Sequence, residues 1–165
     1  MNDLIIRKFE SHKGFEEAEL LWKIKFDTIR QVNRRDYSQK LVTAWAPTEQ
    51  APKGWQERVT LMDPFIAELS GKLVGFADLQ PDGYIDHFFC HLEHQGQGVG
   101  SALMKTLIQT AKVKGLGKMY SHVSITAKPF FEHFGFLSVK AQEVEVRGEI
   151  LSNFVMEKKL NAASC

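Results

Sequence analysis

The chain has 165 residues, of which 44% are hydrophobic and 25% charged, with a net charge of +1. These are the proportions of a globular protein forming one domain, residues 1–165, long enough to bury a core, and they ask for no basic nucleic-acid face. No apolar stretch approaches the roughly 18 residues of a membrane span, and two cysteines, Cys90 and Cys165, are too few for a disulfide framework, so the expected compartment is the cytoplasm.

In chain order, the apolar run Leu4–Phe9 predicts a strand. From Phe15 to Val32 the period becomes helical. Phe15, Ala18, Trp22, Phe26 and Ile29 fall near one face, and Glu16, Glu17, Lys23 and Arg30 mostly elsewhere. Ser38 predicts the N-cap of a helix to about Trp45. A loop over 46–52 leads to a short helix through Trp55 to Leu61. The period then changes to two. Strands over 64–69 and 72–79, joined by Ser70-Gly71, predict an antiparallel hairpin. Pro81-Asp82-Gly83 is a turn before a third strand, Tyr84 to His91. A helix from Val99 to Lys114 is closed by Gly115 and Gly117. Met119–Ile125 predicts a strand, and Ala127–Phe134 a short helix stopped by Gly135. Phe136–Val146 and Leu151–Leu160 predict two last strands around Arg147-Gly148-Glu149. Without repeat or linker, this order is mixed α/β.

Residues 94–101 read H-Q-G-Q-G-V-G-S and abut the helix that starts at Val99. Glycine reaches φ > 0 and lets another group approach the main chain closely. A helix N-terminus adds unpaired N–H donors and a partial positive charge, and together they suit phosphate. The P-loop pattern is absent, and the dinucleotide fingerprint fails at Ser101 or Leu103. The alternative is a flexible turn rich in glycine. Val99, Ala102, Leu103, Leu107 and Ala111 form one apolar stripe, which fixes the helix and so the direction of its N-terminus.

Gln95-Gly96-Gln97-Gly98-Val99-Gly100 matches Q/R-x-x-G-x-G/A, the acyl-CoA signature of the GNAT superfamily of N-acetyltransferases. Ile85 to His91 resembles that family's fourth strand. Ser124 to Phe136, ending in Gly135-Phe136, resembles its later strand–helix segment. Arg35–Ser38 with Trp45-Ala46-Pro47, and Ala77–Asp86, are similar to a bacterial, YafP-like subgroup. The resemblance implies a GNAT fold: one central, mostly antiparallel sheet of six to seven strands, flanked by helices and splayed between the fourth and fifth strands. It implies acetyl-CoA as cosubstrate, without a metal. Amides of Gln95, Gly96, Gln97, Gly98, Val99, Gly100 and Ser101 would hold the pyrophosphate. Main-chain groups of Phe88, Phe89 and Cys90 would pair with the pantetheine arm, and an N–H near Cys90 would face the oxyanion. The acceptor would be a small-molecule or peptide amine. Independently of the resemblance, the last two strands offer an edge through which a homodimer could form.

The same resemblance places Phe131 where many members carry a tyrosine that protonates the departing thiolate. Phenylalanine cannot, so another group serves or the thiolate leaves as such, which a thiol pKa of roughly 8.5 tolerates. Ser124 stands where an asparagine is often found and would bond the pantetheine. As base the sequence offers Asp86: strand alternation groups Tyr84, Asp86, Phe88 and Cys90 on one face, and apolar neighbours would raise its pKa. It could equally pair with an arginine. Tyr84 is a proton relay or a packing residue. His87, His91 and His94 invite a metal, but 87 and 91 would lie roughly 13 Å apart along a strand. His133 is a further acid candidate, or a solvated helix residue. Cys90 is a nucleophile or a small core residue. The resemblance implies that Arg34–Tyr37 and Trp45 would line the acceptor side; alternatively, Trp22, Trp45 and Trp55 pin helices to the sheet. The expected reaction is direct transfer to an amine. The alternatives are a non-catalytic acyl-CoA-binding sensor module and an unrelated nucleotide-binding domain.

Overall fold

The computed structural model describes residues 3–10, 14–91, 94 and 96–160. Among them run β1 (Leu4–Lys8), α1 (Gly14–Asp27), α2 (Gln39–Trp45), α3 (Trp55–Met62), β2 (Phe65–Leu69), β3 (Lys72–Ala77), β4 (Tyr84–Ile85), β5 (Phe88–Cys90), α4 (Val99–Val113), β6 (Lys118–Ser124), α5 (Lys128–His133), β7 (Leu137–Val146) and β8 (Glu149–Lys159). A π turn over Thr28–Val32 and a 3-10 turn over Asn33–Arg35 continue α1. Ser38 caps α2 as expected, its hydroxyl accepting from the Leu41 N–H at 3.1 Å. Ser70 (φ 51°) and Gly71 (φ 82°) both take left-handed backbone, the condition for a tight hairpin turn that matches strand twist.

The mixed α/β class holds, but the strands divide differently from one sheet of six to seven. Two four-stranded sheets form among the described residues, in the orders β1-β2-β3-β5 and β4-β6-β8-β7. They meet because β4 and β5 are successive pieces of one run. β4 pairs parallel with β6, Tyr84 opposite Tyr120. β5 pairs antiparallel with β3, Gly75 opposite Cys90. The chain changes partner between Ile85 and Phe88, so β5 and β6 part company.

The cause is Asp78, fully buried after β3. Its Oδ1 accepts the N–H groups of both Asp86 and His87, each at 2.8 Å. Successive N–H groups of a regular strand point opposite ways, so their convergence on one oxygen is a bulge. This corrects the expected continuous strand Tyr84–His91 and its faces. Ile85, Phe88 and Cys90 all pack into the core under α4. His87 and Phe89 instead lie against Phe76 on the α1 and α3 side, at centroid distances of 6.0 and 5.8 Å. Phe88 and Cys90 therefore do not share a face with Tyr84 and Asp86.

α4 buries Leu103, Met104 and Leu107 against the sheets. α1 and α3 cover the opposite face of β2 and β3 through Leu21, Trp55, Val59 and Ile66. A third cluster, around Ile29, Val42 and Leu151, seats α2 on β8. Glu17, expected off the apolar face of α1, is 4% exposed. Arg7 accounts for it, with Nη1 and Nη2 donating to its two carboxylate oxygens at 3.0 and 3.1 Å.

Candidate active site

The parting of β5 and β6 opens a cleft of about 550 Å³. At one end stands the N-terminus of α4. Gly96 (φ 77°) and Gly98 (φ 85°) are left-handed, and a Cβ on either would meet no atom within 4 Å. Ala102 N–H is bonded to the Gly98 carbonyl, so the amides of Val99, Gly100 and Ser101 precede the first turn of helical bonds and suit an anion. Gly100 is needed for packing instead: a Cβ there would lie 3.1 Å from the Phe130 ring. Val99 is 2% exposed, its side chain in the core, so it has only main chain to offer. Gln97 is exposed at the loop tip, and Gln95 lies outside the described residues.

The β5 edge of the cleft is main chain. His91 N–H bonds the Val74 carbonyl and Asp78 N–H the His87 carbonyl. Alternate residues of an antiparallel ladder bond to the same partner, so Phe88 and Cys90 turn their amides away from β3, towards the splay. The Cys90 carbonyl accepts from Thr28 Oγ1 at 2.9 Å, a reach supplied by the π turn. Burial pushes the Cys90 thiol up to about 12, so it is a poor source of thiolate. Across the cleft, Ser124 Oγ accepts from Ala127 N–H at 3.1 Å and from Asn33 Nδ2 at 3.3 Å. Phe131 is 3% exposed, packed edge-on against Phe88 and Phe136. His133 is on the exposed side of α5.

The other end of the cleft carries the charges. Asp86 Oδ2 lies 3.2 Å from Arg58 Nη2 and 3.3 Å from His87 Nδ1, the latter contact close but not aligned as a hydrogen bond. His87 first and Arg58 after it hold the Asp86 carboxyl well below the usual carboxylate range. This corrects the expectation that burial would raise it: of the two readings of Asp86, the pairing with an arginine is the one seen. Tyr84 packs on Tyr120 at 5.0 Å, and burial, with Asp86 nearby, pushes its phenol up to about 12. Burial lowers the His87 pKa and raises that of Asp78. Lys25 Nζ stands 3.0 Å from His87 Nε2, and burial lowers its pKa to about 8.

Lys25, Arg58 and Asp78 were missed in the sequence, and His87 was weighed only as a metal ligand. Lys25 had a legible signal, a charge at i+3 from Trp22 inside the apolar stripe. Asp78, Asp86 and His87 place ligand atoms within 4.8 Å of one another. The donor set does not suit a cation, because backbone amides occupy Asp78 Oδ1 and Arg58 and Lys25 already stand beside the group. His91 instead packs edge-on against His94, at 5.3 Å. Trp22 and Trp55 do pin helices, donating to the carbonyls of Thr48 and Ala18 at 3.1 and 2.7 Å, whereas Trp45 lines the cleft. Arg34 and Arg35 are exposed.

Residues 33–160 match the family described as an acetyltransferase (GNAT) domain. The chain is 33% identical over 159 residues to the uncharacterized N-acetyltransferase YafP of Escherichia coli K12, covering 96% of this chain and 98% of that one. A GCN5-related N-acetyltransferase structure from Rhodopseudomonas palustris superposes with a TM-score of 0.86 at 29% identity, covering 94% of this chain and 95% of the other. YncA of Salmonella typhimurium, solved with its cofactor acetyl-CoA, shares the fold with a TM-score of 0.64 at 19% identity, over 99% and 98% of the two chains.

Proposed function

Because this chain belongs to the GNAT family of acetyltransferases, we propose that it binds acetyl-CoA in the cleft between β5 and β6 and passes the acetyl group directly to an amine. One observation carries the reading: the splay opens beside the α4 N-terminus, whose glycines leave room for a phosphate ester. The pyrophosphate sits on the amides at 96–101. The pantetheine arm runs along Phe88 to Cys90 with Ser124 facing it, and the Cys90 amide faces the oxyanion. The amine nitrogen attacks the thioester carbonyl carbon, the C–N bond forms and the C–S bond breaks. Phe131 donates no proton, so coenzyme A leaves as thiolate, as its pKa of roughly 8.5 allows. Positioning of two substrates supplies much of the rate. Tyr84 and Asp86 shape the acceptor side: the phenol stays protonated, and the carboxylate is a fixed charge.

No helix among the described residues is long and apolar enough to cross a membrane. The reading extends to one N-acetyltransferase domain over 1–165, working in a bacterial cytoplasm on a small-molecule or peptide amine, without metal, nucleic acid or membrane. Two chains would pair through β7, the outer strand of its sheet. The test is calorimetry with acetyl-CoA, followed by thiol release over a panel of primary amines. Binding with turnover is expected. Binding with no turnover on any amine would make this an acyl-CoA sensor, and ATP displacing coenzyme A would return it to the nucleotide binders.

A further inference from the structure

The cleft needs a proton acceptor, since an amine is mostly ammonium near neutral pH and ammonium has no lone pair with which to attack. The carboxylates are badly suited. Asp86 is committed to Arg58, and Asp78 is fully buried beneath two backbone amides. We propose that Lys25 takes the acceptor's proton and that His87, as a positioning residue, holds Lys25 in place to do so. This rests on acetyl transfer taking place in this cleft.

The geometry is specific. Lys25 reaches from α1 into the cleft, its Nζ among the rings of Trp55, Trp22 and Phe89 at 5.4, 5.5 and 5.9 Å. These rings confine the side chain to one direction, which ends on His87 Nε2 at 3.0 Å. An ammonium donates and never accepts. Nε2 therefore carries the lone pair, and the ring proton lies on Nδ1, on the side of Asp86 Oδ2. His87 is 2% exposed, so the group of this pair that an incoming amine meets is Lys25.

The charges around Lys25 set when it is free amine. Burial acts most strongly against the charged form. Arg58 on α3 and Arg147 in the β7–β8 turn act in the same direction, and Asp86 opposes them. The balance brings Lys25 to about 8, within reach of a neutral-pH reaction. The neutral Nζ accepts one proton from the acceptor ammonium. The freed nitrogen attacks the thioester, the C–S bond breaks, coenzyme A leaves as thiolate, and the nitrogen's second proton passes to water. Lys25 returns its proton to water.

The test is the pH dependence of kcat for thiol release with acetyl-CoA and a primary amine that the wild type turns over. A limb near pH 8 is expected in the wild type. Lys25→Met should lower kcat about 10²- to 10⁴-fold and abolish the limb. Lys25→Arg should not rescue it, because arginine keeps its proton. Arg58→Gln removes a cation and should move the limb up; Asp86→Asn removes an anion and should move it down. His87→Leu should lower kcat while the wild-type limb changes position, which a loss of folded protein alone would not do. An unchanged acetyl-CoA thermal shift shows that each variant is folded. Three results would overturn the proposal: Lys25→Met keeping both kcat and limb, which would put the base elsewhere; Lys25→Met raising KM alone; or Lys25→Arg restoring the rate, which would make Lys25 a fixed cation for the substrate. A wild type that binds no acetyl-CoA would instead bring down the functional reading itself, and this inference with it.

Discussion

At the scale of a residue, Lys25 illustrates a conflict between stability and use. Its ammonium is enclosed by Trp22, Trp55 and Phe89, and burial lowers its pKa from 10.5 to about 8. The ring faces repay part of that loss. Between about 8 and 10.5 the unfolded chain holds this proton and the folded chain does not, so wild-type stability rises with pH across that window. Below it the full penalty is present. Lys25→Met keeps the stem and drops the charge, so it should stabilise the protein at pH 7 by about 2–4 kcal/mol, a gain that fades towards pH 10.5. Thermal melts of both proteins over this range would show it. A constant difference at all pH values would mean that the burial of charge is not the cause.

At the scale of an element, the run from Tyr84 to Cys90 is decided by a side chain outside it. Asp78 gathers two successive N–H groups, breaks the strand into β4 and β5, and frees β5 to pair with β3 alone. Asp78→Ala would leave both amides buried without a partner, at roughly 2–5 kcal/mol in total. The expected outcome is a lower urea midpoint together with weaker acetyl-CoA binding, since the same bond shapes the cleft. If stability falls and affinity does not, the bulge supports the fold without setting the splay. The strand itself was legible as a run of β-formers. Its bulge was not, because nothing within Tyr84–His91 announces that a carboxylate eight residues earlier will claim two of its amides.

At the scale of the whole molecule, one wall of the cleft is tied to a segment from another part of the chain. The Tyr37 hydroxyl donates to the Ser152 carbonyl at 2.7 Å and accepts from the Ile125 N–H at 2.8 Å. One side chain thereby fastens the segment before α2 to the end of β6 and to β8. Tyr37→Phe leaves both groups unsatisfied and should cost about 1–3 kcal/mol. Because that segment carries Asn33 and leads to Trp45, both cleft-lining, KM for the amine should rise more than KM for acetyl-CoA. Steady-state kinetics with each substrate varied in turn would separate the two.

The sequence by itself determined the order of elements, the caps and turns, and the glycine mouth of α4, because each follows from neighbours a few residues apart. Ser38, Ser70-Gly71 and Gly96 to Gly100 act through backbone geometry that local chemistry dictates. Only the tertiary structure decided the protonation states. Asp86 takes its low pKa first from its neighbour His87 and then from Arg58, a residue of another element. Lys25 meets His87 across 62 positions of chain. Charge and burial are properties of the space around a group, and that space is assembled from segments that no stretch of sequence contains together.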